Sequence, residues 1–336
     1  MVAGGGPIGL VTALYAARAG LDVVVREPRR GAIDKACGEG LMPSAVAALT
    51  DLGVRLDGHD ITGIRYVDEE HAVQAPFRSG PGRGVRRTVL HRGLAAAVME
   101  AGVHVEQRAV REVVPAGDHV LVDGEPVSYL VAADGLHSPI RRQLGLDAPV
   151  GRARRYGLRT HTPVPPWSDH VEVHWSRRGE AYVTPVSRGL VGIAVLTDRP
   201  GTMADLLETF PTLSQHLAGA TLNRVRGAGP LRQRSTRRVH GRVLLVGDAA
   251  GYVDALTGEG IAVGIAQARA AVAAIAEGDP GRYERDWRRV TRRHDLLTQA
   301  LLSASRHPLL RNRIVPAASA MPRVFSAAVN ELARPA

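Results

Sequence analysis

The sequence predicts an α/β fold: a parallel sheet entered through a glycine-rich turn, an antiparallel sheet inserted into it, and a helical C-terminus. Three observations carry this. Val2 to Gly9 is a short apolar stretch running into glycines, and Leu21 to Arg26 is a continuous β-branched run of the kind a buried parallel strand needs. Between Tyr156 and Leu196 the pattern changes to alternating strands joined by tight turns at Arg178-Gly179 and Arg188-Gly189. A buried strand then returns at Arg242 to Gly247, and helices dominate from Ile261, broken at Gly278 to Gly281 and at Pro308.

The elements follow in order. A helix runs from the glycines to about Ala19. Pro43 to Leu52 is helical, with apolar Val46 and Leu49 three apart. Ile61 to Phe77 alternates weakly and reads as a hairpin of the other sheet. Leu90 to Ala101 is a further helix, and Val103 to Glu106, Arg111 to Val114, His119 to Val122 and Val127 to Ala132 read as successive strands. His170 to Trp175 alternates cleanly, and an amphipathic helix lies around Met203 to Phe210. This divides the chain into a discontinuous nucleotide-binding domain (1–60, 85–150 and 228–277), an antiparallel substrate sheet (61–84 and 151–227) and a helical segment (278–336).

Composition sets outer bounds. The chain has 336 residues, 45% hydrophobic and 23% charged, which suits a globular protein with a sizeable core. The net charge of +10 invites a nucleic-acid reading, yet aromatics are only 4% and no reading module is present. All but one of the 43 basic residues are arginine, Lys35 being the exception. That bias, with anionic cofactors and substrates to bind, explains the charge, and no nucleic-acid partner is expected. The single cysteine, Cys37, excludes an internal disulfide and a multi-cysteine metal site, and no metal is expected. The apolar start reads as strand, turn and helix rather than a signal peptide. Its first strand is short enough to suggest a start further upstream. The longest apolar stretch, Ile261 to Ala276, is broken by Gln267 and Arg269, so no membrane span and a cytoplasmic location are expected. The leucine- and alanine-rich tail from Leu296 to Phe325 suits either a cover over a pocket or a peripheral membrane contact. Composition says nothing about oligomeric state.

The chemistry begins at Gly4-x-Gly6-x-x-Gly9. Gly4 permits the tight turn, Gly6 lets a pyrophosphate approach the backbone, and Gly9 lets the helix pack on the strand. Pro7 opens that helix, whose free N–H groups face the phosphates. Glu27 ends the next strand, 18 residues beyond Gly9, where an acid accepts bonds from an adenosine ribose. This is a Rossmann-type dinucleotide fingerprint. Much later, Leu244 to Gly247 is a buried strand with Asp248 at its carboxyl end, where open α/β sheets bind ligands. Thr257-Gly258-Glu259-Gly260 then opens the helix from Ile261; small residues there admit a ring edge to the backbone, and a helix N-terminus favours an anionic ring. Thr257 also suits an N-cap.

Two later segments make the dinucleotide FAD rather than NAD. Ala132 to Gly145 (AADGLHSPIRRQLG), with Asp134, Gly135, Ser138 and Arg141, and Gly241 to Ile261 (GRVLLVGDAAGYVDALTGEGI) resemble the Asp-Gly and Gly-Asp motifs of the FAD-dependent aromatic hydroxylase, geranylgeranyl reductase and halogenase family. The resemblance implies that Asp134 and Gly135 lie near the pyrophosphate, that Gly247 and Asp248 meet the ribityl chain, that Gly258 and Gly260 meet the flavin, and that Arg92 in LHRGL lies near the pyrophosphate. It also implies NADPH or NADH as electron donor. Lys35 to Pro43 resembles the Cys-Gly loop of the reductase branch, which places Lys35 and Cys37 beside the isoalloxazine, with Cys37 a proton donor or an inert buried thiol. Pro185 falls where related hydroxylases have a proline lining the substrate cavity. His161, His174 and Tyr182 lie on the antiparallel sheet and are candidate substrate contacts.

Three reactions suit such a scaffold. Halogenation in the related enzymes uses Trp-x-Trp-x-Ile-Pro and a lysine beyond the flavin; here Trp167 and Trp175 are eight apart, and the only lysine is in the flavin loop. Hydroxylation of a small aromatic, polyketide-like or lipidic phenol by an NAD(P)H-dependent monooxygenase is the leading expectation, because Glu180 to Pro185 is closer to hydroxylase style. Reduction of an isoprenoid double bond is the alternative, carried by the CGEG loop and the LTGEGI ending. A third reading is a scaffold that holds FAD without a redox step. No hydrolase triad or zinc motif is present.

Overall fold

The computed structural model describes residues 1–151, 154–199 and 201–334. Its six-stranded sheet has the order Val239–His240, Val243–Leu245, Leu130–Ala132, Val2–Ala3, Val24–Arg26, His104–Glu106. Every neighbouring pair is parallel except the first. The strand Val2–Ala3, only two residues long, is central and buried, pairing with Val131 and Ala132 on one side and Val25 and Arg26 on the other. Helix Pro7–Arg18 packs against helix Gly260–Ala276, and the contact is close: a Cβ on Gly264 would lie 2.5 Å from Ile8 Cδ1.

Two sequence expectations shift here. Only Val24–Arg26 of the run from Leu21 joins the ladder. Val113–Ala116, His119–Val122 and Glu125–Val127 form a separate antiparallel meander, and only Leu130–Ala132 enters the parallel sheet. Buried Arg26 ties the meander down, with Nε 2.7 Å from Glu106 and its other nitrogens on Asp123 and Glu125.

The second sheet has seven strands in the order Arg226–Ala228, Tyr156–Thr162, Leu190–Thr197, Gly179–Ser187, His170–Ser176, Gly63–Val67, Ala72–Pro76. Period-2 alternation gives it two different faces. Ala181, Val183, Val191, Ile193 and Val195 pack against the helices Met203–Leu207 and Pro211–His216. The opposite face, with Val171, Val173, Tyr182, Ala194 and Leu196, turns toward the parallel sheet and walls a cavity. A small sheet of Gly40–Leu41, Gly82–Gly84 and His59–Ile61 closes one side.

The C-terminal helices join both parts. Helix Arg282–Arg306 lies along Gly260–Ala276, and Tyr283 donates to the Leu245 carbonyl at 2.9 Å. Helices Ile314–Ala320 and Pro322–Ala333 return over Ala72–Pro76; Phe325 sits 4.7 Å from the Tyr66 ring and Asn330 Nδ2 donates to the Pro76 carbonyl at 3.0 Å.

Candidate functional site

The space between the two sheets is a cavity of about 570 Å³, within the range of small-molecule sites. One half lies at the carboxyl ends of the parallel strands. The glycines there divide their work. Gly4 adopts φ +107°, and a Cβ on it would meet the Ala133 carbonyl oxygen at 2.5 Å. A Cβ on Gly9 would stand 1.8 Å from the Gly4 carbonyl oxygen. Around Gly6 there is nothing within 4 Å, and its backbone faces the cavity with Pro7. Gly4 and Gly9 shape the turn, and Gly6 leaves room for a ligand.

Glu27 is buried behind this turn, outside the cavity wall. Its Oε2 accepts the Gly5 N–H at 2.8 Å, and Arg29 closes on both oxygens. Burial opposes its charge, but Arg29 and the Gly5 amide outweigh that and hold its pKa below the ordinary value. Asp134 and Gly135 line the cavity; Asp134 Oδ2 accepts the Ile140 amide at 3.1 Å, while Oδ1 is buried with no partner among the described residues. Asp248 follows Gly247 into the cavity, open to the cavity yet enclosed by protein, and burial raises its pKa against the pull of Arg87, Lys35 and Arg141. Lys35 faces the same space; burial and the neighbouring Arg29 and Arg87 lower its pKa. Buried Arg141 staples the two motifs, bonding Asp147, the Leu136 carbonyl and the Ala249 carbonyl. Gly258 and Gly260 line the cavity where helix Gly260–Ala276 begins. Thr257 does not cap that helix; its hydroxyl lies 3.1 Å from Thr298 Oγ1, and Glu259 holds the cap position while bonding His294 at 2.8 Å.

Besides Glu27, four expected site residues lie elsewhere. Arg92 is exposed: Arg87 and His91, four apart, share the inward face of helix Arg87–Glu100, and Arg92 is turned about 100° away. Pro185 is buried off the cavity wall, because Tyr182 and Thr184 take the inward positions of its strand. His174 shares the outward face with Glu172, its partner at 3.1 Å, whereas Val171 and Val173 face inward. His161 is buried one layer back, bonded to two residues that do reach the wall, Glu39 (Nε2 to Oε2, 2.6 Å) and Arg159 (Nδ1 to Nη1, 3.1 Å).

Cys37 lines the cavity on the loop that runs from Lys35, whose Nζ would be 3.3 Å from a Cβ on Gly135 in the nucleotide half, to Gly38, held by Thr184 of the antiparallel sheet; its Sγ accepts the Glu39 N–H at 3.4 Å. Glu39 anchors this loop at φ +60°, taking the Arg87 amide on Oε1 at 2.8 Å and His161 on Oε2. Thr184 fixes the preceding carbonyl, that of Gly38, at 2.8 Å. The far half of the cavity is largely aliphatic and aromatic: Ile64, Tyr66, Val173, Leu196 and Leu256, with Val329 and Leu332 from the last helix. Tyr182 lines it with its ring, its hydroxyl donating to the Leu256 carbonyl at 2.6 Å.

Sequence reasoning missed Arg29, Arg87 and Tyr66. Arg87 carried a usable signal, an arginine in the first turn of a helix whose fifth residue, His91, is buried against the Gly5 carbonyl at 2.9 Å.

The fold and cleft define a dinucleotide-binding flavoprotein. The residues fit FAD: a bare backbone at Gly6, three cations (Arg29, Lys35 and Arg87), and the unpartnered Asp134 Oδ1. The family described as FAD binding domain matches residues 126–282. Menaquinone reductase of Mycolicibacterium smegmatis is 30% identical over 328 residues, covering 88% of this chain and 80% of the relative. Digeranylgeranylglycerophospholipid reductase 1 of Methanopyrus kandleri is 29% identical, covering 85% of each. p-Nitrophenol 4-monooxygenase from Pseudomonas putida shares the fold at a TM-score of 0.80 and 18% identity, covering 99% of this chain and 97% of that one. The chain belongs to the FAD-binding family of flavoenzymes that includes these reductases, and it is an FAD-dependent oxidoreductase. Among the described residues no helix is long and apolar enough to cross a membrane.

Proposed function

We propose that this enzyme reduces a carbon–carbon double bond in an apolar, isoprenoid-type substrate, drawing its electrons from NADH or NADPH. The observation that carries this is the position of Cys37, the one thiol, at the junction between the nucleotide half and the aliphatic half of the cavity. Bound FAD, once reduced by the nicotinamide, supplies the hydride equivalent. Cys37 gives the proton to the other alkene carbon, and its thiolate regains a proton from solvent. The Glu39 amide, pointed at Sγ, stabilises that thiolate. Gly6, Asp134, Asp248 and the cations Arg29, Lys35 and Arg87 hold the cofactor, and the apolar wall keeps water from the reacting bond. The reductase names of the two sequence relatives support the reading.

Hydroxylation of a phenol is the second reading, favoured by the Glu39–His161 carboxylate–imidazole pair, which suits removal of a phenolic proton. The test is turnover of polyprenyl and phenolic substrates with NADPH, with and without oxygen. Saturation of an alkene under nitrogen, cut by roughly 100-fold in Cys37→Ala, is the expected result. Product carrying oxygen from O₂, with Cys37→Ala unimpaired, rejects the reductase in favour of the hydroxylase. Asp248→Ala is expected to purify colourless; retention of FAD by that variant removes Asp248 from the cofactor site.

A further inference from the structure

The last two helices have apolar side chains on both faces. Inward, Phe325, Val329 and Leu332 meet Tyr66 and the cavity. Outward, Val324 is 61% exposed and Met321 52%, with Ala327 and Ala328 also on the surface. Just before them, Leu309 is 75% exposed, beside Leu310. Five of the eleven large apolar side chains most exposed among the described residues fall between Leu296 and Val324.

The charge of this stretch is equally one-sided. No aspartate or glutamate occurs from Leu296 to Asn330, while Arg306, Arg311, Arg313 and Arg323 do. Arg306, Arg313 and Arg323 are exposed, and Arg311 is half-buried against the carbonyls of Ser305 and Arg177. A stretch that combines exposed leucine, valine and methionine with arginine and has no acidic residue of its own is poorly suited to water. It is suited to the boundary of an anionic bilayer, where apolar side chains enter the acyl region and guanidinium groups meet phosphates.

We propose that the segment from Leu296 to Val324 is a docking surface for an anionic phospholipid membrane, and that the roof of the cavity rests on the lipid. The roof helix Pro322–Ala333 then has bilayer on one side and the substrate chamber on the other, so an apolar substrate passes from lipid to cavity without crossing water. Only this purpose rests on the reductase reading; docking itself is independent of turnover.

The experiment is sedimentation of the flavin-loaded full chain with vesicles of phosphatidylcholine alone or mixed with phosphatidylglycerol. Binding to the mixed vesicles is expected, weakened by salt. It should fall roughly tenfold or more in Leu309→Glu/Val324→Glu and in Arg313→Gln/Arg323→Gln. All four side chains are exposed, so both variants should keep their flavin and circular dichroism spectrum. Failure of the wild-type protein to sediment with the mixed vesicles overturns the proposal, as does equal binding by both variants. Concentration-dependent self-association in light scattering, abolished by Leu309→Glu/Val324→Glu without any vesicle binding, overturns it in favour of a second copy of this chain. Because nothing is turned over, a positive result stands even if the alkene reaction is never observed.

Discussion

Two glycines three residues apart, Gly6 and Gly9, separate the holding of a ligand from the shaping of a turn. A methyl at Gly9 would lie 1.8 Å from the Gly4 carbonyl oxygen, so Gly9→Ala forces helix Pro7–Arg18 off its strand. It should cost roughly 1–3 kcal/mol in the absence of flavin. Gly6 has empty space around it, so Gly6→Ala should leave the flavin-free melting within about 0.5 kcal/mol yet weaken FAD binding. Melting without cofactor and a flavin titration check both; Gly6→Ala protein that binds FAD as the wild type does would falsify the role given to that backbone. These residues, with Glu27, Asp134 and Asp248, were legible because each is tied to a local strand–turn–helix geometry that a short sequence window displays. Arg87, Tyr66 and the Glu39 anchor were not. Which of Arg87 and Arg92 faces inward depends on helix rotation, and Glu39 meets His161 only because strand Tyr156–Thr162 is folded beside its loop.

Between elements, Arg155 is the buried joint. Its Nη2 is 2.5 Å from Glu180 on the antiparallel sheet, its Nε 3.5 Å from Asp254 after the Gly-Asp motif, and its Nη1 3.4 Å from Ser305 on the long helix. Burial raises the pKa of both carboxyl groups, and Arg155 counters that rise in each. Arg155→Met fills much of the volume but takes from two buried acids the cation that acts on them most, leaving only the weaker influence of Arg311 on Glu180 and Arg306 on Asp254. It should destabilise the protein by about 3–5 kcal/mol, read by urea denaturation, and Glu180→Gln in that background should recover part of the loss. An Arg155→Met protein as stable as wild type would show that the joint contributes nothing. The antiparallel strands were visible in sequence because one face is covered by helices and the other by the cavity, which enforces a period of two. The edges of the parallel strands were not: Leu21 and Val23 suit a strand while Asp22 between them does not, and only their neighbours decide where pairing starts. The meander from Val113 to Val127 was read as strands but not assigned to a sheet, since its partner groups around Arg26 lie some eighty or more residues away.

At the scale of the molecule, the cofactor cleft is assembled from segments near Gly6, Lys35, Asp134 and Asp248, so ligand binding and global stability are linked. Burial raises the pKa of Asp134 and Asp248. A carboxyl raised in the fold contributes most to stability below its unfolded pKa, and that contribution is lost as pH rises through the folded value. Glu27 and Asp34 act oppositely: Arg29, and Arg159 with Arg226, outweigh burial and lower them, so their contribution is present above the unfolded pKa and lost as pH falls through the folded one. In the flavin-free protein, ionising either carboxyl of the cleft is therefore unfavourable. If Asp248 holds FAD as proposed, cofactor hydroxyl groups would donate to it and favour its ionised form, so binding should tighten as pH rises through the raised value. At a hundredfold excess over its Kd, FAD stabilises by about 2.7 kcal/mol, and at fixed FAD the melting shift should be larger at the upper than at the lower of two pH values chosen on either side of the raised Asp248 titration. Asp248→Asn removes the titrating group; without flavin it should melt higher than wild type above the raised Asp248 titration, while its FAD-induced shift becomes smaller and nearly independent of pH. Melting curves for both proteins at the two pH values, with and without FAD, decide it: a wild-type shift of equal size at both would mean that Asp248 does not exchange its proton against the cofactor.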